Sequence, residues 1–100
     1  MSTFVHWYLL AESQMVPATS GMFQIRIESG LIDYPNGKSA MVYYGCAENM
    51  QIEIVKIAAE REAENFLCRH QSTAEPAVLL ERMRNRFRER FGVFPSWPEG

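Results

Sequence analysis

Apolar and polar positions alternate most cleanly between Met22 and Glu28. Phe23, Ile25 and Ile27 fall on one side, and Gln24, Arg26 and Glu28 on the other. A period of two predicts a half-buried strand. Upstream, Phe4 to Leu10 is apolar and aromatic, is bounded by the polar Glu12-Ser13-Gln14, and predicts a first strand. Pro17 to Gly21 is a turn cluster. Tyr34-Pro35-Asn36-Gly37-Lys38 predicts another turn with Asn36-Gly37 at its tip, because Asn-Gly accepts positive φ at little cost. Ala40 to Tyr44 then returns as the second strand of an antiparallel hairpin.

From Asn49 to Glu64 the pattern satisfies two periods. Met50, Ile54, Ile57 and Ala58 make a helical stripe, while Ile52 and Ile54 also alternate with Gln51 and Glu53 as in a strand. Length and the good helix formers of Ala58 to Glu64 favour the helix. Asn65 to His70 is short and apolar and predicts a further strand. Ser72-Thr73-Ala74-Glu75 has the form of a capping box, and Pro76 is tolerated in a first turn. The helix it opens carries Leu80, Met83, Phe87 and Phe91 on one stripe, with Gly92 as its stop. The aromatic, proline-broken tail Phe94-Pro95-Ser96-Trp97-Pro98 is expected to fold back over the sheet or helix. These elements describe one α+β domain over residues 1–100: a small antiparallel or mixed sheet of three to four strands flanked by two helices.

With 47% hydrophobic residues, the chain can form a globular core. No apolar run reaches the length of a membrane span, and Met1-Ser2-Thr3-Phe4 lacks the basic start of a secretion signal. A cytoplasmic location without membrane contact is the expectation. Cys46 and Cys68 form no disulfide framework, and with His6 and His70 they fit no common zinc spacing; half-buried thiols are the plain reading. The net charge of −2 differs from the basic balance usual for proteins that live on nucleic acid. It is unevenly spread. Arg82, Arg84, Arg86, Arg88 and Arg90 supply half of all Lys plus Arg, against Glu81 and Glu89 in the same stretch.

Two split tripeptides carry a family resemblance: Gly21-Met22-Phe23, and Tyr43-Tyr44-Gly45 running into Cys46-Ala47-Glu48-Asn49-Met50. With the order strand, hairpin, strand, helix, strand, helix, and the ending Arg-Phe-Arg-Glu-Arg-Phe-Gly-Val-Phe-Pro, the chain from Gly21 onward resembles the GIY-YIG nuclease family. The resemblance implies metal-assisted phosphodiester hydrolysis. A second-tripeptide tyrosine lies near the attacking water, an arginine on the next helix steadies phosphate, and a glutamate on the last helix holds the metal. On this chain the tyrosine is Tyr43 and the metal-holding glutamate is Glu81. Phe23 replaces the first-tripeptide tyrosine, Glu53 stands at the arginine register, and no asparagine follows Asn85 to take the late supporting position. Lys56, one turn beyond Glu53, and Arg84 or Arg88, at i+3 and i+7 from Glu81, are candidate replacement cations. Against this stands an ordinary reading, in which Glu81, Arg84 and Arg88 form a solvated ion-pair ladder and Tyr43 and Tyr44 simply pack.

The leading expectation is a GIY-YIG-like domain with an incomplete catalytic set that binds a protein partner, as an inhibitor, adaptor or accessory protein of the kind found in phages and mobile elements. It needs no cofactor. The alternative is a divergent endonuclease using Tyr43, Lys56 and Glu81, with magnesium or manganese held by Glu81. A further alternative is a non-catalytic nucleic-acid-binding module built on Arg82, Arg84, Arg86, Arg88 and Arg90, with Phe94 and Trp97 stacking on exposed bases.

Overall fold

The computed structural model describes residues 4–98. In chain order the elements are β1 (Tyr8–Leu9), a 3-10 segment (Leu10–Met15), β2 (Gly21–Ile27), β3 (Ile32–Tyr34), β4 (Gly37–Ser39) and β5 (Met41–Ala47). Helix α1 (Met50–Glu60), a 3-10 turn (Ala63–Asn65), β6 (Phe66–Ser72) and helix α2 (Pro76–Phe91) complete it. The main sheet is antiparallel, with order β1-β6-β2-β5, and β3 and β4 form a separate two-stranded ribbon. The α+β expectation holds at this level. No helix among the described residues is long and apolar enough to cross a membrane.

Strand β2 is central and more buried than the half-buried strand its alternation predicts: Met22 and Gln24 are buried along with Phe23 and Ile25, because the sheet is covered on its second face as well. Ile25 pairs with Tyr43 on β5 and Cys68 on β6, and cross-strand partners share a face. That face meets Met50, Ile54 and Ile57 of α1, together with Leu10 and Val16, in one apolar cluster. Each fully buried side chain of this kind contributes roughly 1.5–3 kcal/mol. On the opposite face Gln24 is paired with Tyr44 and Arg69, and the buried amide of Gln24 accepts a 2.8 Å hydrogen bond from Arg69 Nε. Helix α2 covers part of this face. Its Phe87 sits edge-on to Tyr34 and Tyr44, with ring centroids 5.0 and 5.8 Å away, and packs on Phe91 at 4.5 Å.

The doubtful stretch after Asn49 is a helix. Asn49 caps it, its Oδ1 accepting from the Ile52 N–H at 3.1 Å. Ile52 itself is 66% exposed, so its alternation with Ile54 is incidental to the fold.

Four expectations need correction. The first strand shrinks to Tyr8–Leu9, because the chain coils into 3-10 turns that deliver Leu10 and Val16 to the core; before β1, Val5 N–H still donates to His70 C=O at 3.0 Å. The hairpin tip is Pro35-Asn36 instead of Asn36-Gly37, since Tyr34 pairs with Gly37 in the ribbon. Ser72 does not cap α2. It ends β6, and the helix starts at Pro76 with Glu75 in the cap position and no side-chain cap. The reason is steric: a residue before proline is disfavoured in the helical region, and Glu75 adopts φ −127°, ψ 62°. The α2 stripe, expected as core, is core at one position: Phe87 is buried, while Leu80, Met83 and Phe91 are half-buried. Gly92 closes the helix in the left-handed conformation at φ 90°, its N–H donating to Arg88 C=O.

Candidate functional site

Both tripeptide glycines are imposed by packing. A Cβ at Gly21 would collide with the Gln71 carbonyl and approach Met50 Sδ to 2.5 Å. At Gly45 it would lie 2.6 Å from Phe23 Cζ and 2.7 Å from Tyr43 Cε2. The second glycine therefore brings β5 against Phe23 and sets the position of the Tyr43 ring, which lies 6.0 Å from that of Phe23.

Tyr43 lines a depression of about 250 Å³ with Glu53, Lys56, Ile57 and Glu60 of α1, Arg61, and Trp97 of the tail. The tail does fold back. Trp97 stacks on Tyr43, with centroids 5.6 Å apart and planes at 24°, and meets Phe66 edge-on at 5.2 Å. The Arg61 guanidinium lies over the indole at 4.3 Å. Burial pushes the Tyr43 phenol above its usual range, the charges of Glu53 and then Cys46 push it further, and Arg84 opposes them. At neutral pH Tyr43 is thus a hydrogen-bond donor, not a ready base. Glu53 and Lys56 share its depression. Glu53 also sits in the first turn of α1, where a carboxylate favourably meets the helix dipole.

Glu81 lies elsewhere. It lines a separate depression with Ala77, Leu80, Arg84, Asn85 and Phe94. Leu80 and Arg84 also line a groove beside Tyr43 and Tyr44, so Arg84 is the side chain common to the surroundings of Tyr43 and Glu81. Among the described residues, no three His, Cys, Asp or Glu side chains converge as a metal cage.

Arg82, Arg84, Arg86, Arg88 and Arg90 are all exposed. The expected ladder with Glu81 does not form: among the described residues the ion pair within 4.0 Å is Lys38–Asp33. Arg84 and Arg88 instead stack over Phe94 at 4.2 and 5.0 Å. Phe94 and Trp97, expected to be free for stacking on bases, are both engaged within the chain. The arginines keep their charge unneutralised on the surface.

Two features escaped the sequence reading. Arg61 and Glu60 reach the Tyr43 depression only because α1 ends there, which no local spacing announces. At the β1 edge of the sheet, across from β5, Trp7, Tyr8, Met15, Val16 and His70 line an apolar pocket of about 370 Å³. There Tyr8 Oη and His70 Nδ1 are 2.9 Å apart, and burial lowers the His70 pKa. Next to them Cys68 is buried, its thiol pushed up to about 12, mainly by desolvation; Cys46 is half-buried and both are free. Comparison with protein-family models, curated proteins and solved structures gave no match to this chain.

Proposed function

We propose that this chain is a GIY-YIG-like domain with an incomplete catalytic set, which acts by binding a protein partner as an inhibitor, adaptor or accessory protein. The observation that carries this reading is the Glu53 carboxylate beside Tyr43, at the register where the resemblance calls for a phosphate-holding arginine. A negative side chain there opposes a phosphate, and loss of one transition-state donor already costs roughly a hundred- to thousandfold in rate. Glu81, in its separate depression, supports the same reading. The test is incubation with labelled single- and double-stranded DNA and RNA in magnesium or manganese. Intact substrates are the expected result. Cleavage that disappears in Glu81→Ala overturns the reading in favour of a divergent nuclease, with Arg84 supplying the cation near Tyr43.

A second reading is favoured by one observation, the five exposed arginines of α2 without an ion pair among the described residues. They suit a non-catalytic nucleic-acid-binding module. Phosphate contacts of this kind release counterions, so binding would weaken steeply as salt rises. Oligonucleotide affinity that is lost when Arg82, Arg86 and Arg90 are replaced together by alanine would promote this reading over the first.

A further inference from the structure

The outer edge of β5 combines open backbone groups with an unneutralised guanidinium. Strand β5 ends the four-stranded sheet. Its hydrogen-bonding phase follows from two contacts. The Ile27 N–H donates to Ala40 C=O at 2.9 Å, so Ala40 faces inward. Met41 faces outward: its N–H donates to Ser39 Oγ at 3.1 Å, and its C=O accepts from Tyr34 Oη at 2.6 Å. Antiparallel pairs alternate between these two states. The pairing skips Val42, passing from Met41 opposite Arg26 to Tyr43 opposite Ile25, which inserts one bulged residue. The next outward residues are then Tyr44 and Cys46. Among the described residues, no hydrogen bond reaches their outward N–H and C=O groups.

Natural sheets blunt such edges with lysine, proline, inward charge or a bulge; the bulge of β5 lies at Val42, before the open stretch. Tyr43-Tyr44-Gly45-Cys46-Ala47 has none of these. A groove of about 270 Å³ lies against this stretch, lined also by Leu80, Arg84 and Pro95. No acidic side chain lines it. Stacking on Phe94 holds the Arg84 guanidinium without neutralising it.

We propose that an extended, acidic segment of a partner protein adds to the outer edge of β5 as a fifth strand. Its backbone bonds to Tyr44 and Cys46, and one of its carboxylates pairs with Arg84. The inference rests on the protein-binding reading above and deepens it by naming the surface and the chemistry of the partner. Main-chain bonds would supply affinity, and the charge would supply selectivity. A second copy of this chain fits less well, because Met41–Ala47 offers no carboxylate to Arg84.

The test selects a displayed library of random dodecapeptides on the whole protein and follows backbone amide exchange by NMR. In dilute free protein, the Tyr44 and Cys46 amides should exchange much faster than that of Gly45. Selected peptides should be rich in acidic and β-branched residues and should slow both amides at least tenfold. Arg84→Glu should weaken them about tenfold or more, the scale of one charge-assisted hydrogen bond. N-methylation of alternate peptide amides should abolish binding in one phase and spare it in the other, a control that leaves the protein unaltered. Recovery of no peptides, or of peptides that protect only other surfaces, overturns the proposal. So does finding the two amides already slow in dilute protein. Protection that grows with protein concentration without any peptide assigns the edge to a second copy and also overturns it. The nucleic-acid cleavage assay is separate: cleavage sinks the binding reading, whereas intact nucleic acid with an unresponsive edge sinks only this inference.

Discussion

The Trp97 indole lies nearly parallel to the Tyr43 ring, 5.6 Å away, and closes one side of the depression that Glu53 and Lys56 border. The contact joins a proline-flanked tail to the edge strand of the sheet. Phe66 supports the indole edge-on and Arg61 covers it. Aromatic pairs add about 0.5–1.5 kcal/mol beyond the area they bury. Trp97→Ala should therefore cost about 2 kcal/mol, less than a fully buried tryptophan, read as a lower midpoint in urea. Tyr43 should become more accessible at the same time, read by its solvent-perturbed absorbance. An unchanged midpoint would show that the tail does not hold the depression.

Gly21→Ala and Gly45→Ala test whether packing imposes the two tripeptides. At Gly21 the obstacle includes backbone, the Gln71 carbonyl, which cannot rotate away. At Gly45 it is two aromatic rings, already packed against β5. Overpacking of this type costs typically 1–3 kcal/mol. Gly21→Ala should be the worse of the two, because part of the β2–β6 ladder must shift. Thermal unfolding that ranks them the other way would mean that β6 yields more easily than the aromatic pair.

The sheet was legible where a residue's role is set by its neighbours in sequence. Local alternation set the strand and the core face of Phe23, Ile25 and Ile27, but the half-burial it predicts fails, because cover on the second face also buries Met22 and Gln24. The C-terminal stop at Gly92 survives for a local reason, the ease of a left-handed glycine. Local signals failed where two of them competed. Ser72 and Glu75 read as a cap, but the steric demand of Pro76 outranks a capping hydroxyl, and Ser72 is spent at the end of β6. Leu10 read as strand, but the core needed it turned inward. The candidate site was legible only in part. Tyr43, Glu53 and Lys56 share one depression, yet Glu81 does not join them, and Arg61 and Trp97 come together only through tertiary folding.

The burial of His70 gives the fold a pH dependence of definite sign. Burial lowers the His70 pKa below its usual 6.5. In the unfolded chain His70 takes up its proton as pH falls through about 6.5, while in the folded protein it resists until lower pH. The unfolded state then binds more protons, so stability is complete above about pH 6.5 and falls as pH drops towards the folded value. The slope from this one group cannot exceed about 1.4 kcal/mol per pH unit. His6 and Glu12 line the same pocket, so a control is needed. His70→Gln should flatten the dependence between pH 6.5 and 5 in urea titrations. An equal slope in the variant would assign the effect to other groups.

Glu53 offers the sharpest separation of the functional readings, because it has an ordinary reason to be where it is. In the first turn of α1 its carboxylate gains about 0.3–1 kcal/mol from the helix dipole. Glu53→Arg gives up that gain, a small loss that leaves the helix cap at Asn49 in place. It also exchanges a negative for a positive charge beside Tyr43. Because Glu53 raises the Tyr43 pKa, the variant's phenol should ionise at lower pH than the parent's, seen by ultraviolet titration. That readout reports the geometry whatever the protein binds. Should the depression be a lapsed phosphate site, the affinity for a short single-stranded oligonucleotide should rise about tenfold at low salt, and log K should fall more steeply with log salt. Glu53→Gln should give a smaller rise without the steeper slope. If the phenol shifts down while oligonucleotide binding stays unchanged, the depression is not a phosphate site.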